Sequence, residues 1–386
     1  MLKKSLWLVP VLLLCLVLSL GLAGCGADKP AAGPETQQDA AQPGKVYRWQ
    51  LQSAVPVGDP HMDILRMLAS DIEKMSGGRL IIEPLPAGAV VGPFEILDAV
   101  NDGIVDAGQW WTHYATGKHP AAGLFNAPVG GAGTGIDQTT LLSWHLQDEG
   151  RELYVKFYTE ILGKDVMPFI HAPDGPEALG WFKEPVATVE EFKKLRFRAP
   201  PGLPGEVYAE MGATPVSMPG AEIIPAAERG VIDAAEWINP STDIRMGFQD
   251  IFEYYCLNGL HQVIGMSDIM INGERWRELP PDLQAIVQVA TTKSIINSYT
   301  YFLRENSINL DKLVNEHGVT IIPAPEGYAE EFLAAAERVI AKYEAQDPFF
   351  KQVSESQKAY AKLTVPYRAR NLETGLNMAR YALDKN

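Results

Sequence analysis

Gly103-Ile104-Val105-Asp106-Ala107-Gly108-Gln109-Trp110 recurs as Gly230-Val231-Ile232-Asp233-Ala234-Ala235-Glu236-Trp237, 127 residues further along the chain. That separation is about one domain's length. In each copy the glycine suits the end of a helix, because it takes a left-handed backbone at no steric cost. The β-branched pair after it suits the start of a strand. An amide or a carboxylate beside tryptophan then stands at the strand's exit. Two lobes built alike, each delivering a polar–aromatic pair at the end of a strand, describe a two-lobed cleft.

The segments around each copy support this reading. Tyr47 to Ser53 alternates as a strand, and His61 to Met75 places Met62, Leu65, Leu68, Ile72 and Met75 on one helical face before Gly77-Gly78 stops it. Leu80-Ile81-Ile82 reads as a short buried strand and Pro93 to Val100 as a helix, which leads into the first copy. The order β-α-β-α-β belongs to an open α/β lobe. Past the Gly130–Gly135 loop, Ile136 to Thr159 reads as helix and Val166 to His171 as strand. Thr188-Val189-Glu190-Glu191 is a capping box. Leu195-Arg196-Phe197-Arg198 is a strand with both arginines on one face, and Gly220 to Arg229 is the helix before the second copy. Leu283 to Val314 is the longest helical pattern; at about 1.5 Å per residue it is long enough to brace both lobes. Gly327 to Gln346 and Phe349 to Leu363 read as further helices, followed by a polar tail. The expected fold class is α/β, two-lobed, with a long bracing helix and extra C-terminal helices. Residues 46–168 form lobe I, completed by part of 263–330, and residues 169–262 form lobe II. Residues 281–317 form the brace and 327–386 the C-terminal helices.

The N-terminus points to export. Lys3 and Lys4 precede an apolar run from Leu6 to Leu22, which ends in Leu22-Ala23-Gly24-Cys25. These are the parts of a secretory signal over residues 1–24. Leu-Ala-Gly-Cys resembles a bacterial lipobox, which would lipidate Cys25 and hold the mature protein on a membrane. Residues 25–45, rich in Ala, Pro, Gln and Gly, bury too little to fold and read as a tether with a reach of roughly 25 Å. Cys15 leaves with the signal and Cys25 takes the lipid, so Cys256 alone remains and reads as a buried hydrophobe. A formal net charge of −15 argues against nucleic acid as a partner. It does not forbid an anionic ligand, because one arginine or a bound cation sets the local field.

Catalytic motifs are missing from the sequence. It contains no His-Glu-x-x-His and no Gly-x-Ser-x-Gly, and its glycine run lacks the residues of a P-loop. The seven histidines show no ligand spacing; His113 and His119 flank Tyr114 and suit a polar cleft wall. The constellation that carries chemistry is Glu177, Arg198, Glu236 and Gln262. A strand-borne Arg198 beside Pro200-Pro201-Gly202 suits capture of a carboxylate. Carboxylate, amide and backbone carbonyl oxygens suit Na⁺ or Ca²⁺.

Beyond the repeat come Tyr114-x-x-Gly117-Lys118-x-Pro120, Trp144, Glu149-Gly150-Arg151-Glu152-Leu153, Gly180-Trp181-Phe182, Leu195-x-x-Arg198 and Asp233-Ala234-x-Glu236-Trp237. In this order they resemble the periplasmic substrate-binding protein of a tripartite ATP-independent periplasmic (TRAP) transporter. The likeness is greatest to members that bind 2-oxo or 2-hydroxy monocarboxylates, such as pyruvate or lactate, with a metal ion. It covers Tyr47 to about residue 365. The resemblance implies a two-lobed periplasmic-binding-protein-like fold and no enzymatic turnover. It implies Arg198 on the ligand carboxylate, Tyr114 reaching the ligand, and Trp181 and Trp237 in the ligand site. It also implies Ca²⁺ or Na⁺ held by Glu177, Glu236, the Trp237 carbonyl and Gln262. The partners implied are a small carboxylate, membrane permease subunits and, in some relatives, a second copy forming a homodimer. Glu177 stands where those relatives carry Gln, and a second carboxylate favours a divalent ion. Leu179 stands where they carry smaller or polar residues and would admit a larger or aromatic acid. An extracytoplasmic sensor of the same fold and a secreted metal-dependent hydrolase using Glu177 and Glu236 are the alternative readings.

Overall fold

The computed structural model describes residues 44–385. The signal segment, Cys25 and nearly all of the tether lie outside these residues. Among the described residues, eleven strands form two sheets. The first takes β1 (Tyr47–Ser53), β2 (Leu80–Leu85), β3 (Ala107–Trp110), β4 (Val166–Gly175) and β10 (Gly265–Asn272), in the order β2-β1-β3-β10-β4. The second takes β5 (Gly180–Phe182), β6 (Arg196–Arg198), β7 (Thr214–Val216), β8 (Ala234–Ala235), β9 (Tyr254–Cys256) and β11 (Thr320–Ile321), in the order β11-β9-β5-β8-β6-β7. Helices flank both sheets, so the chain is α/β and two-lobed.

The repeated phrase does the same structural work in each lobe. Gly103 and Gly230 sit at φ +70° and +68°, the left-handed conformation that ends a helix. The next amide, of Ile104 or Val231, donates back to Ala99 or Ala226 at 2.9 Å and closes the helix end. Val105 and Ile232 are buried, which stabilises by roughly 1.5–3 kcal/mol for each such side chain. Asp106 accepts the backbone N–H of Gln50 at 2.8 Å, and Asp233 accepts that of Arg196 at 2.9 Å. Each aspartate therefore pins a neighbouring parallel strand, and Ala107 pairs with Leu51 as Ala234 pairs with Phe197. The chain after each copy emerges at the carboxyl ends of parallel strands, where α/β folds bind ligands.

Besides the long helix that joins β10 to β11, two segments carry the chain between the sheets. One leads from β4 through Pro176–Leu179 into β5, and the other returns from β9 through residues 257–264 into β10. β4 stays in the first sheet as far as Gly175, paired with β10, so that sheet extends beyond residue 168. The long helix Pro281–Asn315 spans about 52 Å at 1.5 Å per residue. It packs on β4 and the helix Pro60–Met75 of one lobe and on the helix Pro240–Met246 of the other. Ser298 donates to the Pro173 carbonyl at 2.9 Å, and Asn306 accepts the Ser241 amide at 3.1 Å, so the brace is bonded to both sides.

Two helical expectations change. Ile136 to Thr159 is not one helix: it breaks at Asp148 into Gln138–Gln147 and Gly150–Lys156, followed by a wider turn over Phe157–Ile161. A Cβ on Gly150 would lie 2.7–2.8 Å from His145 and the Trp144 ring, so glycine lets the second helix start against the first. The polar tail is helical as well, and Pro348–Leu383 runs as one helix through Pro366. Its last two turns and more are exposed, with Tyr367, Met378 and Tyr381 each more than three-fifths accessible. Among the described residues no helix is long and apolar enough to cross a membrane.

Candidate ligand and cation site

Segments from both lobes and both crossings meet in one small cavity. Tyr114 and His113 follow β3, and Arg198 ends β6. Glu236 and Trp237 follow β8, Glu177 lies on the outward crossing, and Gln262 lies on the return. Trp111, Pro200 and Ile238 complete the lining. The free volume is about 20 Å³, room for roughly one water-sized sphere. Nothing larger than a water molecule therefore fits unless the cavity opens.

The two glutamates approach because glycines let the backbones touch. A Cβ on Gly259 would fall 2.5 Å from the Glu177 carbonyl oxygen, and one on Gly180 would fall 3.1 Å from Glu236 Cα. Glu177 N–H donates to the Gln262 carbonyl at 3.0 Å and Ala178 N–H to that of Ile238 at 3.1 Å, which ties the outward crossing to the return and to lobe II. Both carboxylates are almost fully buried.

Arg198 is the cation of this site. It is 3% exposed, whereas Arg196, on the same strand face, lies at the exposed end and pairs with Asp233 at 2.6 Å. Through Nη1, Arg198 donates to a Glu236 carboxylate oxygen and, at 3.3 Å, to the Glu236 carbonyl. Nε and Nη2 donate to the Met218 carbonyl at 3.2 and 3.0 Å. These contacts occupy four of the five guanidinium N–H groups. The guanidinium also lies 5.1 Å from the Trp237 ring.

The remaining carboxylate oxygens are unusual. Glu177 Oε2 and Glu236 Oε2 are buried without a hydrogen-bond partner, and so is His261 Nε2. These three atoms lie within 4.8 Å of one another. Burial holds the Glu177 carboxyl well above the usual carboxylate range, and the negative charges of Glu236 and Asp174 add to the rise. Burial pushes His113 down to about 3, helped by Arg198 and His261, so its imidazole is neutral. Burial also pushes the Tyr114 hydroxyl up, which keeps it protonated as a hydrogen-bond donor. Unpartnered buried oxygens with a nearby nitrogen fit a cation, since an uncompensated buried carboxylate is costly.

The cavity thus brings together Arg198, Tyr114, Glu177, Glu236, Trp237 and Gln262. Trp181 is elsewhere: its indole N–H donates to Asp243 at 2.8 Å and its ring stacks on Tyr255 at 4.0 Å, in the core of lobe II. Leu179 is fully buried outside the cavity lining, so it does not shape the pocket. His113 is part of the wall, whereas His119 is turned to Asp347 at 3.1 Å. His261 was not expected. Its three-way meeting with the glutamates comes from three separate segments, and no local spacing announces it. Its place one residue before Gln262 is the only sequence signal.

A family model described as bacterial extracellular solute-binding protein, family 7, matches residues 51–347. The chain is 29% identical over 320 residues to the monocarboxylate 2-oxoacid-binding periplasmic protein of Nostoc sp., covering 82% of this chain and 84% of that one. A TRAP periplasmic solute-binding protein from Pseudoalteromonas atlantica, solved with sodium and pyruvate, superposes with a TM-score of 0.80 at 30% identity over 86% of this chain and 99% of that one. One from Colwellia psychrerythraea, solved with calcium and pyruvate, gives 0.78 at 29% identity over the same shares, 86% and 99%. The chain therefore belongs to family 7 of the bacterial extracellular solute-binding proteins, the periplasmic binding proteins of TRAP transporters, which bind solutes and are not enzymes.

Proposed function

We propose that this protein captures a small 2-oxo or 2-hydroxy monocarboxylate together with a cation and delivers it to membrane permease subunits. The observation that carries the reading is the buried cavity in which Arg198, Glu177 and Glu236 converge, with one oxygen of each glutamate unpartnered. When the lobes part, Arg198 is the group that receives the ligand carboxylate, through its spare N–H and through those released from Glu236. Tyr114 and neutral His113, both in the cavity wall, would donate to the 2-oxygen. A cation held by Glu177, Glu236, the Trp237 carbonyl and Gln262 would supply charge compensation and a chelating point for two ligand oxygens. Contacts to both lobes favour the closed state, and closure is then recognised by the permease.

The same reading includes Cys25 as a lipid anchor on the membrane and a homodimer formed through the exposed apolar residues of the C-terminal helix. Support for a 2-oxo acid comes from the relatives named above, whose ligands are pyruvate and 2-oxoacids. The test is titration calorimetry of pyruvate, lactate and aromatic monocarboxylates, with Ca²⁺, with Na⁺ and after chelation. Pyruvate binding that needs a cation and is abolished by Arg198→Ala is the expected result. Binding that survives both chelation and Arg198→Ala at unchanged affinity refutes the site.

A further inference from the structure

We infer that the cation of this site is a first-row transition metal of the Zn²⁺ or Mn²⁺ kind, with His261 as a metal ligand, rather than Ca²⁺ or Na⁺. The inference rests on the cation-assisted site proposed above and changes its donor set. His261 Nε2 lies 3.5 Å from Glu177 Oε2 and 3.8 Å from Glu236 Oε2. Those separations are too long for good hydrogen bonds, and none of the three atoms has another partner. They are separations at which three donors can share one ion. His261 is fully buried, so no solvent satisfies its nitrogen.

The ring is also held in place from behind. His261 Nδ1 meets the Tyr208 hydroxyl at 3.1 Å, and that hydroxyl meets the Tyr328 hydroxyl at 3.2 Å. Leu260 N–H donates to Tyr328 at 3.4 Å. Tyr208 and Tyr328 are both fully buried, so the chain of hydroxyls is fixed. A hydrogen bond from Nδ1–H to Tyr208 leaves the lone pair on Nε2, facing the glutamates. Metal-bound histidines are oriented by such a partner on the second nitrogen. Ca²⁺ and Na⁺ sites are built from oxygen donors, whereas imidazole with carboxylates suits Zn²⁺, Mn²⁺, Fe²⁺ or Ni²⁺.

The experiment strips the full-length protein with a chelator and measures Zn²⁺, Mn²⁺ and Ca²⁺ binding by calorimetry, with and without pyruvate. Because most sites with nitrogen donors favour Zn²⁺ over Ca²⁺, the ratio alone decides nothing; its dependence on His261 does. His261→Gln, which offers an amide oxygen, should lower Zn²⁺ and Mn²⁺ affinity by at least tenfold and leave Ca²⁺ affinity nearly unchanged. Tyr208→Phe keeps the core volume and should weaken the same two metals by roughly 10–100-fold through loss of the outer partner. Co²⁺ substitution gives an independent readout: its visible absorption should shift in His261→Gln. Equal metal ratios in wild type and both variants, with an unchanged Co²⁺ spectrum, overturn the inference. Pyruvate binding with Ca²⁺ alone, insensitive to His261, would overturn it while sparing the proposed function. A His261-dependent metal site that binds no carboxylate would instead overturn the function and spare the metal.

Discussion

Replacing Arg198 by methionine removes the only guanidinium from a cavity that holds two buried carboxylates. Glu236 is fully buried and Arg198 is 3% exposed, so solvent cannot compensate for the loss. Removing one partner of a buried ion pair costs about 3–5 kcal/mol, chiefly because the other charge stays behind. For a folded body of this size that lowers the melting temperature by roughly 4–7 °C. Arg198→Met combined with Glu236→Gln removes both charges and should recover all but about 1 kcal/mol, giving a coupling energy of at least 2 kcal/mol. Binding should not recover. Both the single and the double variant should lose at least about 100-fold in pyruvate affinity, since hydrogen bonds to a charged group are worth roughly 1.5–3 kcal/mol each. Urea unfolding in the presence of chelator measures the first effect, and calorimetry with added cation measures the second. If Arg198→Met costs under 1 kcal/mol and the two changes add independently, the pair does not hold the glutamate in place and the reasoning fails.

Other regions of the chain make separate demands. His61 is fully buried between Asp59 at 2.8 Å and Asp174 at 3.2 Å; burial opposes its charge, but the two carboxylates outweigh it and raise its pKa to about 9. A raised histidine contributes its full stability below its unfolded pKa of about 6.5 and loses it as pH rises through about 9. About 3 kcal/mol should therefore disappear between pH 6 and pH 10 in urea titrations, and His61→Gln should flatten that profile. Equal pH dependence in wild type and variant would exclude the pairing. Gly259→Ala would drive a Cβ to 2.5 Å from the Glu177 carbonyl oxygen, which the backbone must yield to. It should cost about 1–3 kcal/mol and weaken cation binding in calorimetry, because Glu177 is displaced with its segment. Cys25→Ser should move the protein from the membrane fraction to the soluble extracytoplasmic fraction, as judged by immunoblotting of fractionated cells; an unchanged distribution removes the lipid anchor.

Much of the fold was legible because local chemistry and global architecture agree. The helix-ending glycines at 103 and 230, the capping box at Thr188 and the 35-residue helix opened by Pro281 all form as the pattern implies. The resemblance supplied the residues that line the cavity better than the residues' own spacing could. What stayed hidden depends on tertiary packing. Gly150 looks like part of one helix until the Trp144 ring beside it shows that two helices meet there. Trp181 neighbours the site in sequence, but its pairing across β5 and β9 opposite Tyr255 turns it into the core of lobe II. His261 is invisible for the opposite reason: its partners Glu177 and Glu236 stand 84 and 25 residues away, on separate segments. Beyond Arg368 the last helix has no buried face to signal it, and its residues are exposed throughout.

On the proposed function, the charges around the cavity should select among acids. Arg198 answers one of the two glutamates, and His113 is neutral, so the protein contributes one excess negative charge when both carboxylates are ionised. A divalent cation turns that into one excess positive charge, and a monocarboxylate brings the closed cavity to neutrality. A dicarboxylate leaves one negative charge unpaired in a space that excludes solvent. Burying an unpaired charge costs several kcal/mol, and even about 1.4 kcal/mol is tenfold in affinity. Oxaloacetate should therefore bind at least tenfold more weakly than pyruvate, although both present the same 2-oxo acid group. With a monovalent cation the balance shifts by one charge, and the affinity for pyruvate should fall while the preference against dicarboxylates persists. Competition calorimetry at fixed ionic strength reads both quantities. Equal affinities for the two acids in the presence of a divalent cation would mean that the second carboxylate reaches solvent or another cation, and that the cavity does not close around its ligand as this charge balance requires.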